Sequence, residues 1–272
     1  QTFPRAREAI KALVADGQYD YLETGSLVSI DENVADIVIP SEEDRIKMFP
    51  MDFEEYLWAT GLVSLMDFIK DHYEKMEACG PLLHRKAMDA FREYLVVGGM
   101  PQAVQAFIDT RSLTDVDQVK RSILKLYRED IEKHAGRKAR KIQLVFDGIP
   151  SQLSKHEKKF RLTALEADAK MRTYEDSFLW LRDAMVANVC FNSTEPTVGL
   201  AMSTDHTTLK CYLLDTGLLV SQAFSEGQLV AADLQDLGQI LLRCLVLQFF
   251  AHVALRQLVS TRTILKFRIP EG

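Results

Sequence analysis

The sequence predicts an α/β plus mostly α fold, in which a short α/β segment is followed by a long helical region. Three observations support this. The first 50 residues combine one helical pattern with short apolar runs, residues 52–134 carry amphipathic helical patterns, and residues 135–213 contain helical pieces followed by two strand-like runs. With 47% hydrophobic and 26% charged residues among 272, the composition is typical of a globular protein rather than a disordered chain.

The α/β segment begins with Pro4, which opens a predicted helix over residues 5–15, and Gly17 is its predicted stop. Strands are predicted over residues 19–23 and 45–48. The order of helix, strand, loop and strand is that of the second half of an open α/β sheet.

The tripeptide Thr24-Gly25-Ser26 closes the first predicted strand. A hydroxyl at the carboxyl end of a central strand can orient water at a γ-phosphate. A simple turn at a strand end is the other interpretation, and it is the commoner one for such a tripeptide.

The middle region is predicted to be helical. Asp52 is placed as an N-cap, with Glu54 and Glu55 in the first turn, where the helix dipole favours carboxylates. Further helices are predicted over residues 66–76, 82–97 and 116–134, and the segment Gly98-Gly99-Met100-Pro101 breaks the chain between the last two.

The third region has the outline of a winged helix, which is three helices followed by a β-ribbon. The helical pieces cover residues 140–146, 150–153 and 174–186, and the strands cover residues 189–191 and 209–213. In that geometry the third helix enters the major groove of DNA. The alternative is that Tyr174, Phe178 and Trp180 are core residues of an ordinary helical unit.

The charge distribution also bears on nucleic acid. Net charge is −6, yet residues 133–172 contain eleven Lys or Arg against four Asp or Glu. Such a basic segment favours a DNA contact, and a solvated helical face is an equally weighted alternative. The candidate DNA-binding residues are Lys159, Arg161, Lys170, Arg172 and Arg182.

Other features exclude several classes of function. The four cysteines have no CxxC spacing, which favours free thiols in a reducing compartment and predicts no metal site. The histidines show no spacing typical of a triad or a metal site. No secretory signal is recognisable, so a cytoplasmic location is expected. Polar residues interrupt the apolar run 237–259, so no membrane span is expected.

Five ordered segments resemble successive blocks of one family, the prokaryotic AAA-type ATP-binding proteins with a carboxy-terminal domain of unknown function, DUF4143. Together they cover roughly residues 1–225. The segments are ETGSL (23–27), FPMDFEE (49–55), GGMP (98–101), FDGIPSQLSK (146–155) and LDTGLL (214–219).

The resemblance implies that a complete member begins with a P-loop and a Walker B strand followed by a Gln-x-Phe-Pro segment, which QTFP at residues 1–4 matches. The chain is therefore expected to start after the Walker B acids. Thr24 and Ser26 would be nucleotide sensors, and Arg45 is a weaker candidate for reading a phosphate, the alternative being a surface arginine. The resemblance implies that the full-length protein binds ATP and Mg²⁺ and could form a homo-oligomer. This chain by itself is expected to bind neither ATP nor Mg²⁺.

The implied domains are a partial C-terminal half of the P-loop ATPase sheet (1–50), a helical lid (51–134), a winged-helix-like domain (135–205) and the start of a nuclease-like DUF4143 domain (206–272). The tail lacks the family's Glu-Asn-x-x-Ala helix and later acidic positions, so it is either divergent or frame-shifted. The first hypothesis is thus that the chain is a fragment of an ATPase and cannot hydrolyse ATP by itself. The alternative is a non-catalytic DNA-binding or protein-interaction module, and a nuclease ranks last.

Overall fold

The computed structural model describes residues 13–17, 19, 21–22, 46–155, 159–193 and 204–226. This part of the chain is mostly helical, with one two-stranded antiparallel sheet. The elements are α1 (Phe53–Ala59), α2 (Val63–Glu74), α3 (Gly80–Val97), α4 (Pro101–Thr110), α5 (Leu113–His134), α6 (Ala139–Leu153), α7 (Met171–Asp183), β1 (Ala187–Ser193), β2 (Thr204–Leu213) and α8 (Thr216–Ala223), with 3₁₀ turns at Gly136–Lys138 and Leu162–Ala164.

The opening segment departs from the prediction. Residues 13–16 are helical and Gly17 ends the turn with φ +68°, as expected. The strands predicted over residues 19–23 and 45–48 are not formed at the described positions 19, 21, 22 and 46–48. Tyr19 and Leu22 are 72% and 79% exposed, so no burial offsets the entropy cost of ordering an extended chain there. The P-loop ATPase sheet is not seen in the described part.

Helix α1 begins as the sequence predicts. Asp52 forms a reciprocal capping box with Glu55: the Glu55 amide donates to Asp52 Oδ1 (2.9 Å), and the Asp52 amide donates to Glu55 Oε2 (2.8 Å). The predicted helices over 66–76, 82–97 and 116–134 correspond to α2, α3 and α5, each starting two or three residues earlier.

The break at residues 98–101 is confirmed. Gly98 has φ +85° and ends α3, and Pro101 opens α4 at a position where a missing amide is harmless. The sequence interpretation did not foresee α4, a helix of ten residues. Its apolar side chains Ala103, Val104 and Phe107 are buried, which explains why the segment after the break is helical rather than a loop.

Residues 140–146 and 150–153 were predicted as two helices, and here the prediction was wrong: α6 is one continuous helix with Pro150 inside it. Proline removes the amide that would bond the carbonyl of Phe146, four residues earlier. The side-chain amide of Gln222 donates to that carbonyl instead, at 3.1 Å. A partner from α8 therefore compensates for the proline, and the helix continues.

The predicted strands around residues 189–191 and 209–213 are confirmed as β1 and β2, which pair antiparallel with Val189 opposite Cys211. Between α6 and α7, the amide of Phe160 donates to the carbonyl of Leu209, so the chain makes a strand-like contact with β2 (2.9 Å). Tyr174 and Phe178 of α7 are buried in the main core, and Trp180 is half-buried against it.

Candidate functional site

Three segments that are far apart in the sequence meet at one buried place, the Gly98–Asp215 junction, formed by Met51, Gly98, Gly99, Asp215 and Gly217. The Met51 amide donates to the carbonyl of Gly99 (2.7 Å), and the Gly99 amide donates to Asp215 Oδ2 (2.6 Å). Asp215 is also the N-cap of α8, because its Oδ1 accepts from the Leu218 amide (2.8 Å). The start of α1, the end of α3 and the start of α8 are thereby tied together.

The glycines of the junction leave no room for a side chain. A Cβ on Gly98 would lie 2.4 Å from Asp215 Oδ1, and one on Gly99 would lie 2.0 Å from the Met51 carbonyl oxygen. A Cβ on Gly217 would lie 2.3 Å from the carbonyl oxygen of Val97. Because these neighbours are mostly backbone atoms, the backbones of α3 and α8 can approach this closely only with glycine.

Lys120 of α5 brings a buried positive charge close to the junction. Its side chain is 1% exposed and its ammonium donates to the Val96 carbonyl (2.8 Å). Burial lowers the pKa of Lys120 to about 8, although the charges of Asp215 and Asp117 favour the ammonium. Burial likewise raises the pKa of Asp215, against the stabilisation of its carboxylate by backbone amides and by Lys120.

Helix α5 also holds the far end of α8. Ser221 donates to Asp117 Oδ1 (2.5 Å), and Asp117 pairs with Arg121 (2.7 Å). Arg121 in turn donates to the carbonyl of Phe224, the C-cap of α8 (3.0 Å). Each of these charged groups has a partner at a backbone carbonyl, a side chain or a helix end, and together they fix the position of α8.

The five predicted DNA-binding residues, Lys159, Arg161, Lys170, Arg172 and Arg182, are all exposed. The structure does not bring all of them together. Arg182 pairs with its neighbour Asp183 at the end of α7 (2.9 Å). Lys159 lies near Asp205 at the start of β2, where its charge helps lower the pKa of that carboxyl. Arg161 precedes the 3₁₀ turn Leu162–Ala164, where its backbone amide donates to Gln152 Oε1 (3.1 Å). Lys170 and Arg172 lie together at the start of α7.

A contact that the sequence reasoning missed joins the start of α6 to the start of α7. Lys138 pairs with Asp176 (2.6 Å), and Lys141 donates to the Thr173 carbonyl (3.3 Å). The Lys141 ammonium also lies 5.4 Å from the centre of the Tyr174 ring. The basic residues at 137–141 were visible in the sequence, but only the tertiary contact places them beside residues 170–172.

The predicted nucleotide-reading residues Thr24, Ser26 and Arg45 lie outside the described residues. Within the described ranges, no three His, Cys, Asp or Glu side chains are arranged to hold a metal ion. Cys79, Cys190 and Cys211 are free thiols, of which Cys211 is fully buried. No helix in this part of the chain has the length and apolar character needed to cross a bilayer.

The fold and the junction define a mostly helical protein in which a helix–ribbon unit, α6 to β2, is followed by a helix fixed at both ends. The model of a family described as a domain of unknown function (DUF8612) matches residues 88–256, and the chain belongs to this family. The matched range starts within α3 and includes the helix–ribbon unit and every residue of the Gly98–Asp215 junction except Met51. No curated protein and no solved structure matches the chain.

Proposed function

We propose that this chain is part of an AAA-type ATP-binding protein, in which the described helices join an ATPase core to a winged-helix-like unit and a DUF4143 region. The observation that best supports this proposal is the Gly98–Asp215 junction. Three of the five segments that resemble the family, at residues 49–55, 98–101 and 214–219, supply its hydrogen bonds and its close backbone approach. Segments chosen by resemblance alone thus act as one structural unit.

In this proposal the chain does not hydrolyse ATP alone, because its 272 residues contain no GxxxxGK[ST] motif to cradle phosphates and hold Mg²⁺. Thr24 and Ser26 act as sensors, with Arg45 as a weaker candidate, only when the P-loop and Walker B residues are present. The Gly98–Asp215 junction then supplies a packed connection from residue 51, just after the proposed ATPase segment, to α8.

Two measurements test this function. The purified chain should release phosphate from ATP no faster than buffer does. The gene sequence upstream of Gln1 should encode an in-frame P-loop and Walker B strand, and the longer protein should hydrolyse ATP. In that protein Ser26→Ala should lower turnover by about 10²-fold, as for other single groups that position reacting water or charge. Ser29→Ala is the matched control. An upstream sequence without a P-loop, or equal turnover in both variants, would refute the proposal.

A second candidate function is DNA binding by the helix–ribbon unit, without catalysis. The observation that favours it is the connectivity: α6, the Phe160–Leu209 contact, the 3₁₀ turn Leu162–Ala164, α7 and then the β1–β2 ribbon. This order of helix, edge strand, short helix, helix and ribbon is typical of winged helices, here with the second helix reduced to one turn. Measurable affinity for duplex DNA that falls steeply with salt would support it.

A further inference from the structure

We propose that phosphates of duplex DNA bind a surface formed by the starts of α6 and α7, named here the α6/α7 basic surface: Arg137, Arg140, Lys141, Lys170 and Arg172. This inference rests on the second candidate function, DNA binding, and names the residues that contact the DNA. It moves the contact away from Lys159, Arg161 and Arg182, three of the five residues that the sequence pattern favours.

The tertiary contacts bring the two helix starts together. Lys141 reaches from α6 to the Thr173 carbonyl on α7, and Lys138 reaches to Asp176 one turn further along. Arg140 is close enough for its charge to act on the buried Tyr174 hydroxyl. Arg172 directly precedes Thr173, and the Thr173 amide donates to the carbonyl of Lys170 (3.0 Å). Basic residues about thirty positions apart in the sequence therefore share one surface.

The positive charges of this surface outnumber the carboxylates beside it. Arg137, Arg140, Lys170 and Arg172 are exposed. Four carboxylates lie near it in the sequence, against six Lys or Arg at residues 137–141 and 170–172. Asp176 pairs with Lys138, and Glu166 accepts a hydrogen bond from Tyr174 (2.7 Å), while Asp168 is exposed and Glu175 is half-buried. In the described part of the chain, no carboxylate pairs with Arg140, Lys170 or Arg172, which leaves their charges available to an anion.

The rest of α7 is less suited to DNA. Beyond the first turn, its exposed charged residues are Asp176, Arg182 and Asp183, which carry a net negative charge, and Arg182 is already paired with Asp183. At 1.5 Å per residue, Arg172 and Arg182 are about 15 Å apart along the helix axis. The two arginines therefore cannot serve one phosphate, and the positive potential is concentrated at the start of α7.

Duplex DNA is the occupant that fits best. The surface combines two lysine ammonium groups with three guanidinium groups. Among the described residues, no exposed large hydrophobic side chain lies within residues 137–141 or 170–176, so the surface lacks the apolar contacts that a membrane or a protein groove would need. Contacts of this kind fix a protein on the phosphate backbone without reading sequence. The helix that carries Lys170 and Arg172 is also the one that precedes the ribbon, the place of the groove-facing helix in a winged helix.

The test is fluorescence anisotropy of a labelled 20-base-pair duplex with the full chain over a series of salt concentrations. Arg140→Ala and Arg172→Ala remove exposed residues of the surface. Arg182→Ala and Lys159→Ala are matched controls that remove equally exposed basic residues elsewhere. We expect each surface variant to weaken binding several-fold. It should also reduce the slope of log K against log salt by about 0.9, the value for one lost phosphate contact. The controls should keep the slope of the unmodified chain.

The outcomes separate the two claims. Duplex binding that weakens equally in Arg182→Ala, or that is unaffected by Arg140→Ala and Arg172→Ala, would overturn the α6/α7 basic surface and leave DNA binding intact. The absence of salt-dependent duplex binding would overturn DNA binding itself, and the inference with it. Tighter binding to RNA of the same sequence or to phosphatidylserine vesicles than to the duplex would overturn the assignment of the occupant. Far-UV circular dichroism of each variant confirms that it is folded.

Discussion

The close approach of α3 and α8 can be tested by adding a single carbon atom at Gly217. In Gly217→Ala the new Cβ would lie 2.3 Å from the Val97 carbonyl oxygen, 2.6 Å from its carbon and 2.7 Å from the Gly98 nitrogen. All three are backbone atoms, so no side chain can turn away and one helix must move. Gly148→Ala is the matched control, since its Cβ would meet the terminal methyl carbon of Leu165, at the end of a flexible side chain.

The expected magnitudes follow from two opposing effects. Replacing glycine by alanine within a helix stabilises the folded state by about 0.5–1 kcal/mol. Overfilling a packed contact costs about 1–3 kcal/mol, and a backbone neighbour places Gly217 at the upper end of that range. Gly217→Ala should thus lower the free energy of unfolding by about 1–2 kcal/mol. Gly148→Ala should leave it unchanged or raise it by up to about 1 kcal/mol.

Differential scanning calorimetry of the two variants gives the comparison directly. For a protein of this size each kcal/mol moves Tm by about 2–4 °C, so two variants about 1–3 kcal/mol apart should melt about 2–12 °C apart, with Gly217→Ala lower. If Gly217→Ala melted at or above Gly148→Ala, the backbones of α3 and α8 would not be in contact at Gly217, and the account of the junction would be wrong.

Two further predictions concern buried polar groups. Lys120 loses its proton near pH 8 when folded but near 10.5 when unfolded, so the unfolded chain binds more protons between these values. The unfolding free energy should therefore rise from pH 8 to about 10.5, relative to Lys120→Met, by up to about 3 kcal/mol in urea titrations. Separately, Gln222→Leu should cost about 1–3 kcal/mol by stranding the Phe146 carbonyl, and clearly less in a Pro150→Ala background, whose restored amide can bond that carbonyl.

For Lys120 and for Gln222, one experimental result would contradict the prediction. Parallel stability curves for the unmodified chain and Lys120→Met across pH 8–10.5 would mean that the lysine keeps an ordinary pKa in the folded state. An equal cost of Gln222→Leu in both backgrounds would mean that the Gln222 amide does not replace the amide missing at Pro150.

Much of the helical fold can be predicted from the sequence because its signals are local. Asp52 specifies a helix start with Glu55 in the first turn, and Gly98 marks the end of α3, whereas Pro101 was interpreted as part of a break rather than as the first residue of α4. The apolar periodicity of α5 and α7 gives their positions to within a few residues. The predicted strands over 19–23 and 45–48 show the opposite case, since a short apolar run needs a neighbouring strand that local sequence does not specify.

The features that the sequence did not reveal depend on residues from distant elements. Pro150 predicts a helix break, and α6 is continuous with the Phe146 carbonyl bonded by the Gln222 amide from α8. Lys120 appears as one polar residue on an amphipathic helix, and its burial follows from the packing of α3 and α8 around it. The α6/α7 basic surface likewise requires two helix starts to be adjacent, which linear charge counting does not show.

The bond from Gln222 to the Phe146 carbonyl also determines where α8 can sit along α6. A carbonyl without a partner in an apolar interface is costly, and along this helix face the proline creates one such carbonyl. If α8 slid by one turn, about 5.4 Å, the Gln222 amide would lose its acceptor and the carbonyl its donor. Apolar contacts alone tolerate small displacements, whereas this bond requires the Gln222 amide on α8 to stay within hydrogen-bond distance of the Phe146 carbonyl on α6. Pro150 therefore helps to set the position of α8 along α6.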